Sequence, residues 1–339
     1  MRPASDGSDI MPPSLVLVTE PEFNRAPAVF TSESRVRCVA APAAEAEFAK
    51  AVVESHARHV VVGTLKYHSE LYRAVGRGGV IARFGVGHDG VDKPKATAAG
   101  LLCTNTPGVL DQSVAEQALM LIAAAARHLP AMTAEVHRGV WAPRQGAELE
   151  GQTLTIVGCG RIGRATARIA ARGFSMRVIG VRRAGSPPPE AEASADFDMI
   201  TDDVGAALAA ADYVSLHIAA TPENLRFVNR DRLAMMKKEA WLINTARGAV
   251  VDEAALFDAL AEGRLGGAAL DVFEREPYEP GEPGRDLRSL PNVIMMPHVG
   301  SHTGAANRRM AERALQNIVL AEARDYGAMD LLNPEVLGT

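Results

Sequence analysis

Three side chains of complementary chemistry follow three separate apolar runs in the second half of the sequence. Arg247 stands in Asn244-Thr245-Ala246-Arg247-Gly248, just past the run 241–244. Glu276 stands in Asp271-Val272-Phe273-Glu274-Arg275-Glu276-Pro277, past a run ending near Val272, and His298 stands in Met296-Pro297-His298-Val299-Gly300, past the run 293–296. A cation, a carboxylate and an imidazole are the set that reduction of a 2-keto acid needs. The cation holds the substrate carboxylate and polarises the carbonyl, while the imidazole protonates the oxygen as hydride arrives. A carboxylate beside the imidazole stabilises its protonated form, each unit of pKa shift being worth about 1.4 kcal/mol. On residue types alone, an ordinary Arg247–Glu276 ion pair and a satisfied loop histidine are the alternative.

A hydride source is legible further upstream. Gly158-Cys159-Gly160-Arg161-Ile162-Gly163 follows the apolar run 153–157 directly. The order strand, glycine turn, helix allows a tight turn, a close backbone approach to a pyrophosphate, and a helix N-terminus on which that charge rests. Gly158, Gly160, Arg161, Ile162 and Gly163 are therefore candidate cofactor residues. Some 20 residues on, where such chains usually carry an acid for the ribose hydroxyls, this one has Arg182-Arg183. An arginine there favours a 2'-phosphate, so NADP(H) is the preferred cofactor expected, with NAD(H) possible. Cys159 occupies a variable fingerprint position and reads as packing.

These residues need a scaffold of strands whose ends meet on one edge. From residue 15 onward short apolar runs (15–19, 60–62, 80–84, 101–103) alternate with helical patterns, which predicts a doubly wound parallel sheet. Residues 110–137 read as a long helix, opened by Ser113 and Glu116 at capping-box spacing and bent or divided near Pro130. The alternation then restarts, with strands predicted at 153–157, 176–181, 213–216, 241–244, 268–272 and 293–296 and a helix at 161–172. Asp252 is placed to cap a helix over 253–262 with Gly263 past its end, and Pro222 to open one running toward Met236. The final helical pattern, 305–325, has no strand of its own to cover. It is expected to return to the first domain and make that domain discontinuous.

At 339 residues the chain exceeds what one core usually organises, and two domains are the starting expectation. Hydrophobic content of 47%, 23% charged residues and a net charge of -5 describe a globular protein without a nucleic-acid surface. The apolar stretch 118–126 is too short for a bilayer and residues 1–13 are too polar for a signal peptide, so a cytoplasmic protein with an N-terminal disordered tail is expected. Three cysteines without metal-ligand spacing fit a reducing compartment, and no metal site is expected. Pro187-Pro188-Pro189 and 277–283 read as exposed loops.

The chain resembles the D-isomer-specific 2-hydroxyacid dehydrogenase family. The resemblance covers about 15–331 and is carried by Phe84-Gly85-Val86-Gly87, Asn105-Thr106-Pro107-Gly108, Ser113-Val114-Ala115-Glu116, the glycine fingerprint, 244–252, 267–277 and 297–300. It implies two doubly wound parallel-sheet domains with the active site in the cleft between them. One is a flavodoxin-like substrate domain, residues 14–108 and 304–332; the other is a Rossmann cofactor domain, residues 109–303. It implies that His298 is the general acid/base, that Glu276 hydrogen-bonds it, and that Arg247 binds the substrate carboxylate and carbonyl. Val86 and Gly87 would offer backbone N–H groups to the carboxylate, Asp271 would hold the nicotinamide carboxamide, and Thr245 and Ala246 would line the cofactor. For Asp271, the residues themselves leave a loop cap as the alternative.

Similarity to the glyoxylate and hydroxypyruvate reductase branch suggests that Trp141 reaches a partner's substrate pocket, with interface packing the other reading. Lys66, after a first-domain strand, is either a contact for a second anionic group on the substrate or a solvated lysine. A homodimer acting on a small 2-keto or 2-hydroxy acid is implied, with no nucleic-acid or membrane partner. A D-3-phosphoglycerate dehydrogenase is the alternative within the class, and a nucleotide-sensing corepressor the alternative outside it.

Overall fold

A computed structural model describes residues 13–186 and 194–338. Residues 1–12 of the expected tail, and Pro187-Pro188-Pro189, lie outside the described residues. By its internal contacts the chain divides into two units, Asp111–Thr303 and the remainder on either side of it.

In the first unit, β1 (Ser14–Thr19), β2 (Val36–Ala41), β3 (His59–Val62), β4 (Val80–Arg83) and β5 (Leu102–Thr104) form one sheet in the order β2-β1-β3-β4-β5, with every strand pair parallel. This is the flavodoxin-like order. The inner strands β3 and β4 are buried throughout, as strands covered on both faces must be. Leu17, Phe48, Val60, Val62, Leu71 and Ile81 are at most 3% exposed and centre one core cluster. Each such side chain contributes about 1.5–3 kcal/mol by leaving water. The helix Gly304–Glu322 belongs to this unit.

The second unit carries β6 (Thr153–Val157), β7 (Arg177–Val181), β8 (Met199–Thr201), β9 (Tyr213–Leu216), β10 (Trp241–Asn244), β11 (Gly267–Leu270) and β12 (Val293–Met295). Their order is β12-β11-β10-β9-β6-β7-β8, again parallel throughout. The strand order reverses between β6 and β9, the switch point at which open parallel sheets bind nucleotides. Two core clusters include Leu216, Leu242, Leu256 and Leu270 in one, and Leu121, Ile122, Leu154 and Ile243 in the other.

The expected division of 110–137 near Pro130 is present, while other local expectations are corrected. Residues 110–137 form two helices, Asp111–Ala126 and Leu129–His137, because His128 takes a left-handed φ of 48° before Pro130 in the first turn of the second. Ser113 lies inside the first helix rather than capping it, and its hydroxyl pairs with that of Thr303 at 2.9 Å. Pro222 opens only the short 3-10 turn Pro222–Asn224. Arg226, at φ 50°, breaks the chain before Asn229 caps the helix Arg230–Met235. The strands β2 and β8 escaped the apolar pattern because each is an edge strand with exposed positions. The cap by Asp252 is present, its Oδ1 accepting the Ala255 N–H at 3.0 Å, and Gly263 follows at φ 65°.

Among the described residues no helix is long and apolar enough to cross a membrane, and no three His, Cys, Asp or Glu side chains form a metal-holding cluster. Burial pushes the Cys159 thiol up to about 11, and those of Cys38 and Cys103 up to about 12. All three behave as packed side chains rather than nucleophiles at neutral pH.

The first unit contains an acid-sensitive contact. His59, 1% exposed, accepts the Val80 N–H on Nδ1 at 3.1 Å and meets Glu322 Oε1 through Nε2 at 2.5 Å. Burial holds the imidazole below its ordinary value of 6.5, against the opposing hydrogen bond and charge of Glu322. The unfolded chain therefore takes up a proton near 6.5 that the folded chain resists, so falling pH favours unfolding by at most about 1.4 kcal/mol per pH unit from this group. Thermal melting from pH 7.5 down to 5.5 is expected to fall more steeply for the wild type than for His59→Gln. Parallel curves would remove His59 as the cause.

Candidate active site

The turns that follow β10, β11 and β12, adjacent strands of the second unit, carry the cation, the carboxylate and the imidazole. After β10, Asn244 shapes the turn. Its Oδ1 accepts the Ala246 N–H at 3.0 Å and its Nδ2 donates to the Arg247 carbonyl at 2.8 Å. Such a side-chain turn is a signature of asparagine at a strand end, and the sequence reading passed over it. Arg247 is half-buried, with Nη1 donating to the Ala246 carbonyl at 2.6 Å. The next residue must be glycine, since a Cβ on Gly248 would lie 1.8 Å from the Phe273 carbonyl carbon. That close approach lays the Arg247 turn against the loop that carries Glu276.

His298 and Glu276 meet directly, Nδ1 lying 2.6 Å from Oε2. With Nδ1 engaged, Nε2 is the ring atom left to exchange a proton with substrate. The other Glu276 oxygen accepts the Phe273 N–H at 3.1 Å. Burial pushes the Glu276 carboxyl up, but the hydrogen bond and charge of His298, with help from the Phe273 N–H and Arg247, outweigh it and hold the group below its ordinary value. The carboxylate is thus charged at neutral pH, the state that supports an imidazolium.

His298 sits at φ 54°, a left-handed conformation that costs a non-glycine residue of order 1 kcal/mol and that the surroundings must enforce. Asp271 enforces it. The Asp271 carbonyl accepts the His298 N–H at 2.8 Å, and its two carboxylate oxygens accept the N–H groups of Val299 at 2.8 Å and Gly300 at 2.7 Å. Asp271 is 1% exposed, and burial raises its carboxyl above the ordinary value despite those bonds. The loop-cap reading of Asp271 therefore has direct geometry behind it.

The glycine fingerprint forms the turn after β6 and the start of the helix Arg161–Phe174. Gly158 has φ 103°, and a Cβ there would lie 2.5 Å from the His217 carbonyl oxygen. A Cβ on Gly163 would lie 2.1 Å from the Gly158 carbonyl oxygen. These two are required by the fold itself. Gly160 is different: a Cβ there would meet nothing within 4 Å, so no neighbouring protein atom demands glycine. The open space in front of a helix N-terminus fits a pyrophosphate, and at the end of β10 the buried Thr245 hydroxyl has no hydrogen-bond partner among the described residues. The donor set therefore fits a dinucleotide. Ala246 and Ile162 are half-buried nearby in sequence, and Arg161 is exposed with Nε 2.8 Å from Asp111 Oδ2.

Arg182 follows β7. Its backbone N–H reaches the Thr201 carbonyl at 3.0 Å, and its guanidinium donates to the Ser186 carbonyl, so the side chain is half-buried while Arg183 is exposed. His217, after β9, pairs with the Ser215 hydroxyl at 2.9 Å, and burial pushes it down to about 4.

In the first unit, Val86 and Gly87 lie in the loop after β4. The Asn105 side chain donates to the Val86 carbonyl at 2.7 Å, and the Thr106 N–H donates to the Gly85 carbonyl at 3.1 Å, fixing that loop. Lys66 is exposed in the loop after β3. Trp141 is 87% exposed in a stretch without regular structure that follows the helix Leu129–His137.

Residues 119–300 match the model of the D-isomer specific 2-hydroxyacid dehydrogenase, NAD binding domain. The chain belongs to the D-isomer-specific 2-hydroxyacid dehydrogenase family. It is 39% identical to a glyoxylate reductase of Thermococcus litoralis over 287 residues, 82% of this chain and 84% of that one. A D-3-phosphoglycerate dehydrogenase of Methanocaldococcus jannaschii is 40% identical over 233 residues, 68% of this chain but 43% of its own length. Among solved structures, the NADPH-dependent glyoxylate/hydroxypyruvate reductase of Sinorhizobium meliloti, in complex with NADP and malonate, is similar at a TM-score of 0.74. It shares 30% identity, with 91% of this chain and 93% of that one covered. The protein is thus an NAD(P)-dependent oxidoreductase, built from two doubly wound parallel sheets as the family resemblance implied.

Proposed function

We propose that this 2-hydroxyacid dehydrogenase reduces small 2-keto acids to D-2-hydroxy acids, with glyoxylate and hydroxypyruvate as leading substrates and NADPH as the preferred reductant. The observation that carries the reading is the 2.6 Å contact of His298 Nδ1 with Glu276, next to the Arg247 turn, in the unit that holds the glycine fingerprint. Arg247 pairs with the substrate carboxylate and draws electron density from the carbonyl. His298 Nε2 donates a proton to the carbonyl oxygen, and Glu276 stabilises the imidazolium beforehand. Bound reduced nicotinamide supplies the hydride. Gly158, Gly160, Arg161, Ile162, Gly163, Thr245 and Ala246 hold the dinucleotide, and Arg182 with Arg183 receives the 2'-phosphate. Asp271 serves the nicotinamide carboxamide as well as the His298 loop. Val86 and Gly87 offer backbone N–H groups to the substrate.

The glyoxylate reductase relatives support the substrate class, and the arginine pair after β7 supports the cofactor preference. The phosphoglycerate dehydrogenase relative and the exposed Lys66 favour one competing substrate, a phosphorylated hydroxy or keto acid. A panel of glyoxylate, hydroxypyruvate and 3-phosphohydroxypyruvate, each assayed with NADPH and NADH, separates these. The highest kcat/KM is expected for an unphosphorylated acid with NADPH. Dominance of the phosphorylated acid would transfer the assignment, and lack of turnover with every keto acid would end it.

The reading includes a cytoplasmic homodimer. Leu129, Val136, Val140 and Trp141 are large apolar side chains exposed along one stretch of chain, the kind of surface a second copy covers. Light scattering that returned the mass of one chain would exclude it.

A further inference from the structure

We propose that Glu253 is a positioning residue for the Glu276–His298 pair, fixing the 273–276 loop in the conformation that presents Glu276 to the imidazole. The inference rests on the catalytic reading of that pair. Glu253 is the first residue of the helix Glu253–Ala261, and its Oε1 accepts the Glu274 N–H at 2.6 Å. The preceding N–H, that of Phe273, goes to Glu276 itself. Two carboxylates therefore take the N–H groups of consecutive residues, one of them anchored on a helix and the other bound to His298. The loop is also pressed against Gly248, where no Cβ fits. Arg226 adds a longer contact, 3.7 Å from Glu274 Oε1.

Helix capping does not account for Glu253. Asp252 already caps the helix through the Ala255 N–H, and a charge at the first position would serve the helix dipole equally well facing water. Instead Glu253 is half-buried within range of two other carboxylates. Burial, partly opposed by the Glu274 N–H and reinforced by the charges of Glu274 and Glu276, raises its carboxyl above the ordinary value. An acid held in an unfavourable place by a short bond to the catalytic loop is a device for fixing that loop. Hydrogen-bonded side chains that orient a reacting group act this way, since small misplacements of such groups are costly.

The test compares Glu253→Ala with Glu253→Gln in the full chain, using glyoxylate and NADPH, beside Glu276→Gln as a control on the pair. Glutamine keeps an oxygen for the Glu274 N–H; alanine does not. For the alanine variant kcat is expected to fall about ten- to hundredfold, with KM for NADPH unchanged. Glutamine should restore most of that loss. Full kcat in the alanine variant would overturn the proposal, as would equal losses of kcat and melting temperature in both variants. Normal turnover by Glu276→Gln would remove the pair itself from catalysis, and the proposal with it.

Discussion

Replacing His298 with asparagine is expected to lower kcat for glyoxylate reduction by about two to four powers of ten while NADPH still binds. The reasoning is local. Nδ1 is committed to Glu276 at 2.6 Å, and the backbone of His298 is held at φ 54° by three N–H bonds into Asp271, its own and those of the next two residues. Such a tether aims Nε2 at one place, and asparagine there has no ionisable group to deliver a proton. Because Asp271 accepts the backbone N–H groups, the loop should keep its course in the variant. Cofactor fluorescence titration checks that binding survives, and steady-state rates at saturating glyoxylate read the chemical loss. Turnover within a few-fold of wild type would reject His298 as the general acid, whatever the geometry suggests.

The second large effect is expected at Arg182. Two unit charges about 4 Å apart interact by roughly 4 kcal/mol at an effective dielectric of 20. Solvent and salt reduce this at a half-buried site, and if a quarter survives, about 1 kcal/mol of attraction to a 2'-phosphate is lost on removing the arginine. Aspartate adds a comparable repulsion and supplies an acceptor for free ribose hydroxyls. Arg182→Asp should therefore lower the ratio of kcat/KM for NADPH over NADH by about thirtyfold, roughly 2 kcal/mol. The guanidinium now bonded to the Ser186 carbonyl would release that contact, which lies in an exposed turn. Equal kcat/KM for the two cofactors in the wild type, or an unchanged ratio in the variant, would sink the cofactor assignment.

Central parallel strands were legible because burial on both faces writes a continuous apolar run into the sequence. The runs at 213–216 and 241–244 coincide with β9 and β10. The edge strands β2 and β8 left no such trace because they carry exposed positions, whereas the edge strands β5 and β12 carry none and were legible as the runs 101–103 and 293–296. The break at Arg226 was equally hidden, since a single left-handed residue is set by its neighbours in space rather than by its type, whereas Pro130 marked the division beside His128. Ser113 misled for the same reason, its hydroxyl serving a contact to Thr303 that lies far along the chain.

By itself the sequence determined the chemistry available: a glycine turn after a strand, a displaced acid replaced by Arg182-Arg183, and Arg247, Glu276 and His298 each just beyond an apolar run. Residue type and local spacing suffice for that, because strands end where their apolar runs end. Only the tertiary structure decided that β10, β11 and β12 are neighbours, so that the turns carrying these groups adjoin and Glu276 reaches His298. It alone revealed the supports Asn244 and Glu253, and it decided for Asp271 that the carboxylate caps the His298 loop, because these bonds run to backbone groups of other residues. Strand order and backbone hydrogen bonding depend on which segments pack together, and no local pattern records that.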